Sequence, residues 1–122
     1  MGAMTSEELP SGNRSASTGP LDTQYAVGDV WVVVARGEVD LNNLPPLTEA
    51  LTQAAETHAT VVLDASGITF ADSTFLNLLL RIHQATDLRI AAPGPQLERL
   101  LDLTGADGVL DLRPSVDEAT TR

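Results

Sequence analysis

In the stretch FADSTFLNLLL, residues 70–80, three small polar side chains, Asp72, Ser73 and Thr74, stand directly before the most leucine-rich run of the chain. Two chemistries fit residues of these types in this place. The first is capping: the first N–H groups of a helix have no partner within the helix, and an Asp or Ser side chain accepts their hydrogen bonds for about 0.5–2 kcal/mol. The second is covalent modification of a hydroxyl. A phosphate on Ser73 would meet free N–H groups and the positive end of the helix dipole, which favours a negative charge by about 0.3–1 kcal/mol. The residues alone leave both open.

A second polar group, Gly37-Glu38-Val39-Asp40, leaves an apolar run and turns toward the next one. Gly and Asp are common turn residues, so this is an exposed strand-to-helix loop with Asp40 as a cap, or an acidic surface for a basic partner. Elsewhere the chemistry is sparse. His58 and His83 have no nucleophile or carboxylate at a motif spacing, so both are expected to be structural or solvated. Trp31, inside an apolar run, is expected in the core. No Gly-rich phosphate loop follows any strand-like segment, so a nucleotide site lacks its signature. With no Cys and two His, neither a disulfide framework nor a thiolate or histidine metal cluster is expected, and no cofactor is implied.

The elements that must position these groups follow from apolar periodicity. TQYAV and VWVVVAR are β-branched and aromatic runs split by Gly28-Asp29, which predicts a hairpin. Asn42, Asn43, Pro45 and Pro46 supply cap and first-turn residues for a helix carrying Leu47, Ala50, Leu51, Ala54 and Ala55. ATVVLDAS reads as a buried strand, Ser66-Gly67 as a turn, and the FADST stretch as the start of a helix to about Thr86 with a polar stripe of Asn77, Arg81 and Gln84. A strand at 88–93, a helix carrying Leu97, Leu100 and Leu101 and stopped by Gly105, and a strand at 109–113 come next. Ser115 and Glu118 make a capping-box pattern for a short last helix. The expected fold is α/β, a mixed sheet of four to five strands with about four helices. Residues 1–21, rich in Ser, Gly, Pro and Thr, read as a disordered tail opened by a cloning remnant, Met1-Gly2-Ala3-Met4. Residues 22–122 read as one domain.

The formal charge of −10 and the pI near 4.3 argue against a nucleic-acid partner and favour a basic protein. The apolar runs are well short of the roughly 20 residues that span a bilayer, so no membrane association and a cytoplasmic location are expected.

Three segments, RGEVDLNN, VVLDASGITFADST and LERLLDLTG, together resemble the STAS domain, and in particular the bacterial anti-sigma factor antagonists. The resemblance runs from about Thr23 to Ala119. It implies a non-enzymatic binding module that engages an anti-sigma factor with serine kinase activity, so freeing a sigma factor to direct transcription. Phosphorylation of Ser73 reverses this, with ATP and magnesium belonging to the kinase. The resemblance assigns Glu38, Val39, Asp40, Asp72, Ser73, Thr74, Phe75 and Asn77 to the partner surface. Phe75 stands where the family pattern has Gly; its ring either fills the core or presents an aromatic anchor at the interface. The alternatives are a STAS regulatory subunit that is never phosphorylated, for instance of a lipid-transport ATPase, and a small nucleotide-binding domain.

Overall fold

β-Branched and aromatic side chains pack well on a pleated surface, and the valine-rich segments form the middle of a sheet. The computed structural model describes residues 19–121. In it β1 (Leu21–Val27) and β2 (Val30–Val39) pair antiparallel around Gly28-Asp29, with Val27 opposite Val30. The chain continues through α1 (Pro45–Thr57), β3 (Thr60–Ala71), α2 (Ser73–Ala85), β4 (Asp87–Ala91), α3 (Pro95–Thr104), a 3-10 turn (Ala106–Gly108), β5 (Asp111–Arg113) and α4 (Val116–Thr120). The sheet order is β1-β2-β3-β4-β5, antiparallel only at the hairpin, so the expected mixed α/β sheet is what forms. The tail expected at residues 1–21 lies outside the described residues up to position 18. From Gly19 the chain belongs to the fold, with the Arg36 N–H donating to the Pro20 carbonyl at 2.8 Å.

Three successive crossovers step the same way along the sheet. Because such crossovers are right-handed, their helices share one face. Leu47 and Leu51 of α1, Phe75 and Leu79 of α2, and Leu97 and Leu101 of α3 accordingly join Val33, Leu63, Leu88 and Ile90 in the main core. α4 turns to the opposite face, where Ala119 and Val116 meet Val30, Val32, Val62 and Ala91. No helix among the described residues is long and apolar enough to cross a membrane.

The structure corrects the sequence reading at several joints. Ser66-Gly67 is not a turn: β3 runs straight through it to Ala71. Asp64 accepts hydrogen bonds from the Ser66 N–H (3.0 Å) and hydroxyl (2.8 Å), so the polar cluster makes an irregularity inside a strand and does not end it. The pairing slips there, from Val34 opposite Asp64 to Arg36 opposite Gly67, and again from Gly37 opposite Ile68 to Glu38 opposite Phe70. Gly67 is needed because a Cβ would lie 2.9 Å from the Arg36 Cβ. β4 stops at Ala91, and the last strand starts at Asp111 because the 3-10 turn takes up the residues before it and leaves Val109 exposed. Trp31 is half-buried at the core margin, where its indole N–H donates to Gln24 Oε1 at 2.9 Å and its ring stacks on His58 at 5.1 Å.

α4 has only five residues, too few to persist alone, and two arginines hold it. Arg89 Nη1 donates to the carbonyls of Ala119 and Thr121, both at 2.9 Å, and Arg113 Nη1 donates to that of Glu118 at 3.2 Å. Asp111 orients Arg113 through contacts of 2.6 and 3.0 Å. The hydrogen bond from Arg113 lowers the Asp111 pKa below its ordinary 3.8, against a smaller opposing effect of burial. A depressed carboxylate stabilises the fold above its unfolded pKa and loses that effect as pH falls through the folded one. Asp111→Asn should therefore melt slightly below the parent chain at pH 7, with the gap closing as pH drops below 3.8. Thermal melts at pH 7, 4 and 3 test this, and a gap independent of pH would count against the ion pair.

Candidate functional site

The first turn of α2 is built by Asp72. Its backbone is extended (φ −112°, ψ −175°), and its Oδ1 accepts from the N–H groups of Thr74 (3.0 Å) and Phe75 (3.3 Å). Ser73 is the first helical residue and is exposed; Thr74 is half-buried, and Asn77, one turn further along the same face, is exposed. Two of the N–H groups that a phosphate on Ser73 was expected to meet are thus already occupied by Asp72. An added phosphate has the dipole in its favour and a carboxylate against it.

The Glu38–Asp40 segment lies alongside. Glu38 is opposite Phe70 and Val39 opposite Ala71 in a parallel ladder, so Asp40 and Asp72 each follow the last paired residue of neighbouring strands, about one strand spacing, ~4.8 Å, apart in the sheet direction. Asp40 does not cap α1, whose N-cap is Leu44 with no side-chain bond. It closes its own turn instead: Oδ1 accepts from the N–H groups of Asn42 (2.9 Å) and Asn43 (3.2 Å). Asn43 returns the contact, accepting from the Asp40 N–H at 2.9 Å and donating to the Glu38 carbonyl at 2.8 Å. The loop is held rigidly, with Glu38 exposed and Asp40 half-buried.

Two residues named for the surface are instead in the core. Val39 and Phe75 are both 0% exposed. Val39 points to the helix-covered side of the sheet, and the Phe75 ring turns under α2, which favours core filling over an interface anchor. The aromatic exposed beside the loop is Phe70, at 46%, with Leu41 at 69% at the end of the acidic loop. The reading by residue pattern missed Phe70 because it assumed a turn at Ser66-Gly67 and took the FADST stretch as the helix start; β3 instead runs on to Ala71, and Phe70 alternates with that buried residue. It also missed Gln96 of α3, whose amide accepts from the Ala71 N–H (2.8 Å) and donates to the Ala71 carbonyl (2.9 Å). A contact between residues 25 positions apart has no local signal.

Among the described residues no group of three or more His, Cys, Asp or Glu side chains is placed to hold a metal ion. A hollow of about 550 Å³ lies along α1 between Leu41 and Glu56 and includes none of the residues named for the site. What the site offers is one exposed hydroxyl on a capped helix start, a fixed acidic loop beside it, and an exposed phenyl ring.

A family model described as Mlab, STAS domain, matches residues 24–114. The chain belongs to the STAS domain family. An anti-sigma factor antagonist from Mycobacterium paratuberculosis has the same fold at 29% identity and a TM-score of 0.76, over 87% of this chain and 95% of that one. The anti-sigma factor antagonist SpoIIAA in its unphosphorylated form aligns at 17% identity and TM-score 0.68, over 80% and 90% of the two chains. The Bacillus cell fate determinant SpoIIAA in its phosphorylated form aligns at 17% identity and 0.63, over 80% and 94%. At those identities the two SpoIIAA structures speak for the fold alone. No curated protein sequence gives a significant match. In this STAS domain the polar start of α2 is a helix cap whatever else it does, and the geometry separates the two roles: Asp72 caps, and Ser73 is left exposed.

This separation has a measurable consequence. Asp72→Ala should cost about 0.5–2 kcal/mol of stability through the lost cap, and Phe75→Ala about 3–5 kcal/mol through the cavity it opens. Ser73→Ala should change stability by less than about 0.5 kcal/mol, as exposed substitutions do. Urea denaturation of the three variants gives the order; a Phe75→Ala loss no greater than that of Ser73→Ala would put the ring outside the core.

Proposed function

We propose that this STAS domain is an anti-sigma factor antagonist, a cytoplasmic binding module rather than an enzyme. In this reading it binds an anti-sigma factor with serine kinase activity, releases a sigma factor, and is switched off by phosphorylation at Ser73. The observation that carries the reading is the exposed Ser73 hydroxyl on the rigid, Asp72-capped start of α2, next to the Glu38–Asp40 loop. The 29% identical Mycobacterium paratuberculosis protein supports it as an anti-sigma factor antagonist, and SpoIIAA supports it as a related fold known in a phosphorylated form.

The partner surface consists of Glu38, Asp40, Asp72, Ser73, Thr74 and Asn77, with Phe70 beside Glu38 in the ladder and Val39 and Phe75 in the core beneath. A partner that fits it has basic groups around an apolar recess for the phenyl ring. A phosphate on Ser73 adds about −1.5 to −2 charges beside three carboxylates. With the nearest N–H groups already bonded to Asp72, the phosphate has few donors to draw it onto the helix. It therefore projects toward the partner and opposes docking by like charge and by desolvation.

Incubating the protein with anti-sigma kinases, ATP and magnesium, then locating phosphate by mass spectrometry, tests the acceptor. Calorimetric titration tests the switch. Ser73→Ala should bind like the parent chain and resist modification. Ser73→Asp and the phosphorylated form should bind more weakly by about 1–3 kcal/mol, and Phe70→Ser should lose at least about 1 kcal/mol with the fold intact. Equal affinities for all forms would defeat the switch, and phosphate on Thr74 alone would move the acceptor by one residue. No phosphate with any such kinase would favour the non-phosphorylated regulatory subunit.

A further inference from the structure

β3 outruns its neighbour. β4 pairs with it only from Thr60 to Asp64, so Ala65–Ala71 have β2 on one side and no strand on the other. At Ala71, the residue before the cap, the missing ladder is replaced by one side chain: the Gln96 amide accepts from the Ala71 N–H at 2.8 Å and donates to its carbonyl at 2.9 Å. Both backbone groups therefore face away from β2, toward the place where another strand would lie. Ala71 is 1% exposed, so water is a poor substitute for either bond. A primary amide has one acceptor and one donor side by side, which no other side chain of this length offers. Gln96 itself is fixed in the first turn of α3 after Gly94 and Pro95.

We infer that Gln96 is the positioning residue of the Ser73 site, the contact through which α3 sets where the start of α2 stands. The inference rests on the reading of Ser73 as the phosphate acceptor only for its functional consequence. Ala71 is covalently joined to Asp72, and the Asp72 carboxylate fixes the N–H groups of Thr74 and Phe75, the two residues that follow the acceptor. Loss of the amide leaves β3 secured at its end by β2 alone, so the loosened junction carries Asp72 and Ser73 with it. Phosphoryl transfer depends on the hydroxyl being held in line with the donor, and a small displacement lowers turnover more than binding.

The test uses the full chain with Gln96→Ala and Gln96→Glu, the second keeping an acceptor for the Ala71 N–H and removing the donor to its carbonyl. Amide hydrogen exchange read by NMR should speed up at least tenfold at Ala71 and in the first turn of α2 in Gln96→Ala, with Val33 and Leu63 unchanged. Gln96→Glu should fall between it and the parent chain. With an anti-sigma kinase, kcat/KM for modification of Ser73 should fall about tenfold in Gln96→Ala, through kcat more than KM. Parent-like exchange at Ala71, or acceleration spread evenly over the sheet, would overturn the inference, as would unchanged modification kinetics in a folded Gln96→Ala. If parent Ser73 takes no phosphate the proposed function falls, while the exchange measurement still decides whether Gln96 positions the junction.

Discussion

The parallel pairing of β2 with β3 is carried to the far end of both strands, to Val39 opposite Ala71, and the rest of the site depends on it. Most of a sheet's pairings end together, but here β3 continues past the strand on its other side. The overhang places the acidic loop and the start of α2 next to each other at the ends of paired strands. It also leaves backbone groups that need partners, since an unpaired N–H or C=O in the interior costs as much as a lost hydrogen bond. The two slips in register are what let a strand that begins opposite Trp31 still finish opposite Val39 with Ala71 facing the core. Because there are two of them, the alternation that places Leu63 in the main core also places Ala71 there and leaves Phe70 outside.

A rigid site of this kind is built almost entirely from side chains bonded to nearby backbone. Asp40 and Asn43 close one loop, Asp64 and Ser66 shape the strand irregularity, and Asp72 caps the helix. Each satisfies N–H groups left over where a regular element stops or shifts, which is the ordinary preference of Asp, Asn and Ser. None of these carboxylates needs a cation in the protein to be held in place. The acidic character of the surface is therefore a by-product of backbone satisfaction that remains available to an outside partner, and the −10 net charge of the chain reinforces its sign.

The fold was legible because its signals are local or periodic. Gly28-Asp29 marks the hairpin, Pro45-Pro46 and Pro95 open helices, Gly105 closes one in the left-handed region (φ 77°), and the leucines of α2 recur on one face. Asp72 as cap was legible on the same grounds, whereas the closeness of the Glu38–Asp40 loop to α2 was expected from its place at a strand end and from the family resemblance. What could not be read is the difference between a turn and an irregular strand at Asp64–Gly67. Asp, Ser and Gly are favoured in both, and only the presence of β2 on the other side of the ladder decides. From that one ambiguity Phe70 was counted with the helix start, although it is the outward-facing residue near the end of β3. Gln96 was illegible for another reason: its partner is a backbone position, and a backbone position has no residue type to recognise.

Phe75 shows how a departure from the family pattern can leave a site's geometry in place. Here the N–H of residue 75 is bonded to Asp72 while its ring is buried. The acceptor's turn is thereby anchored twice, by a hydrogen bond on the solvent side and by a large apolar side chain on the core side. Burying a Phe contributes about 1.5–3 kcal/mol, comparable with or larger than the cap itself. The backbone around Ser73 is consequently held against displacement by forces of different kinds, one polar and one apolar. A charge added to the hydroxyl changes what the surface presents to a partner long before it can change the fold beneath.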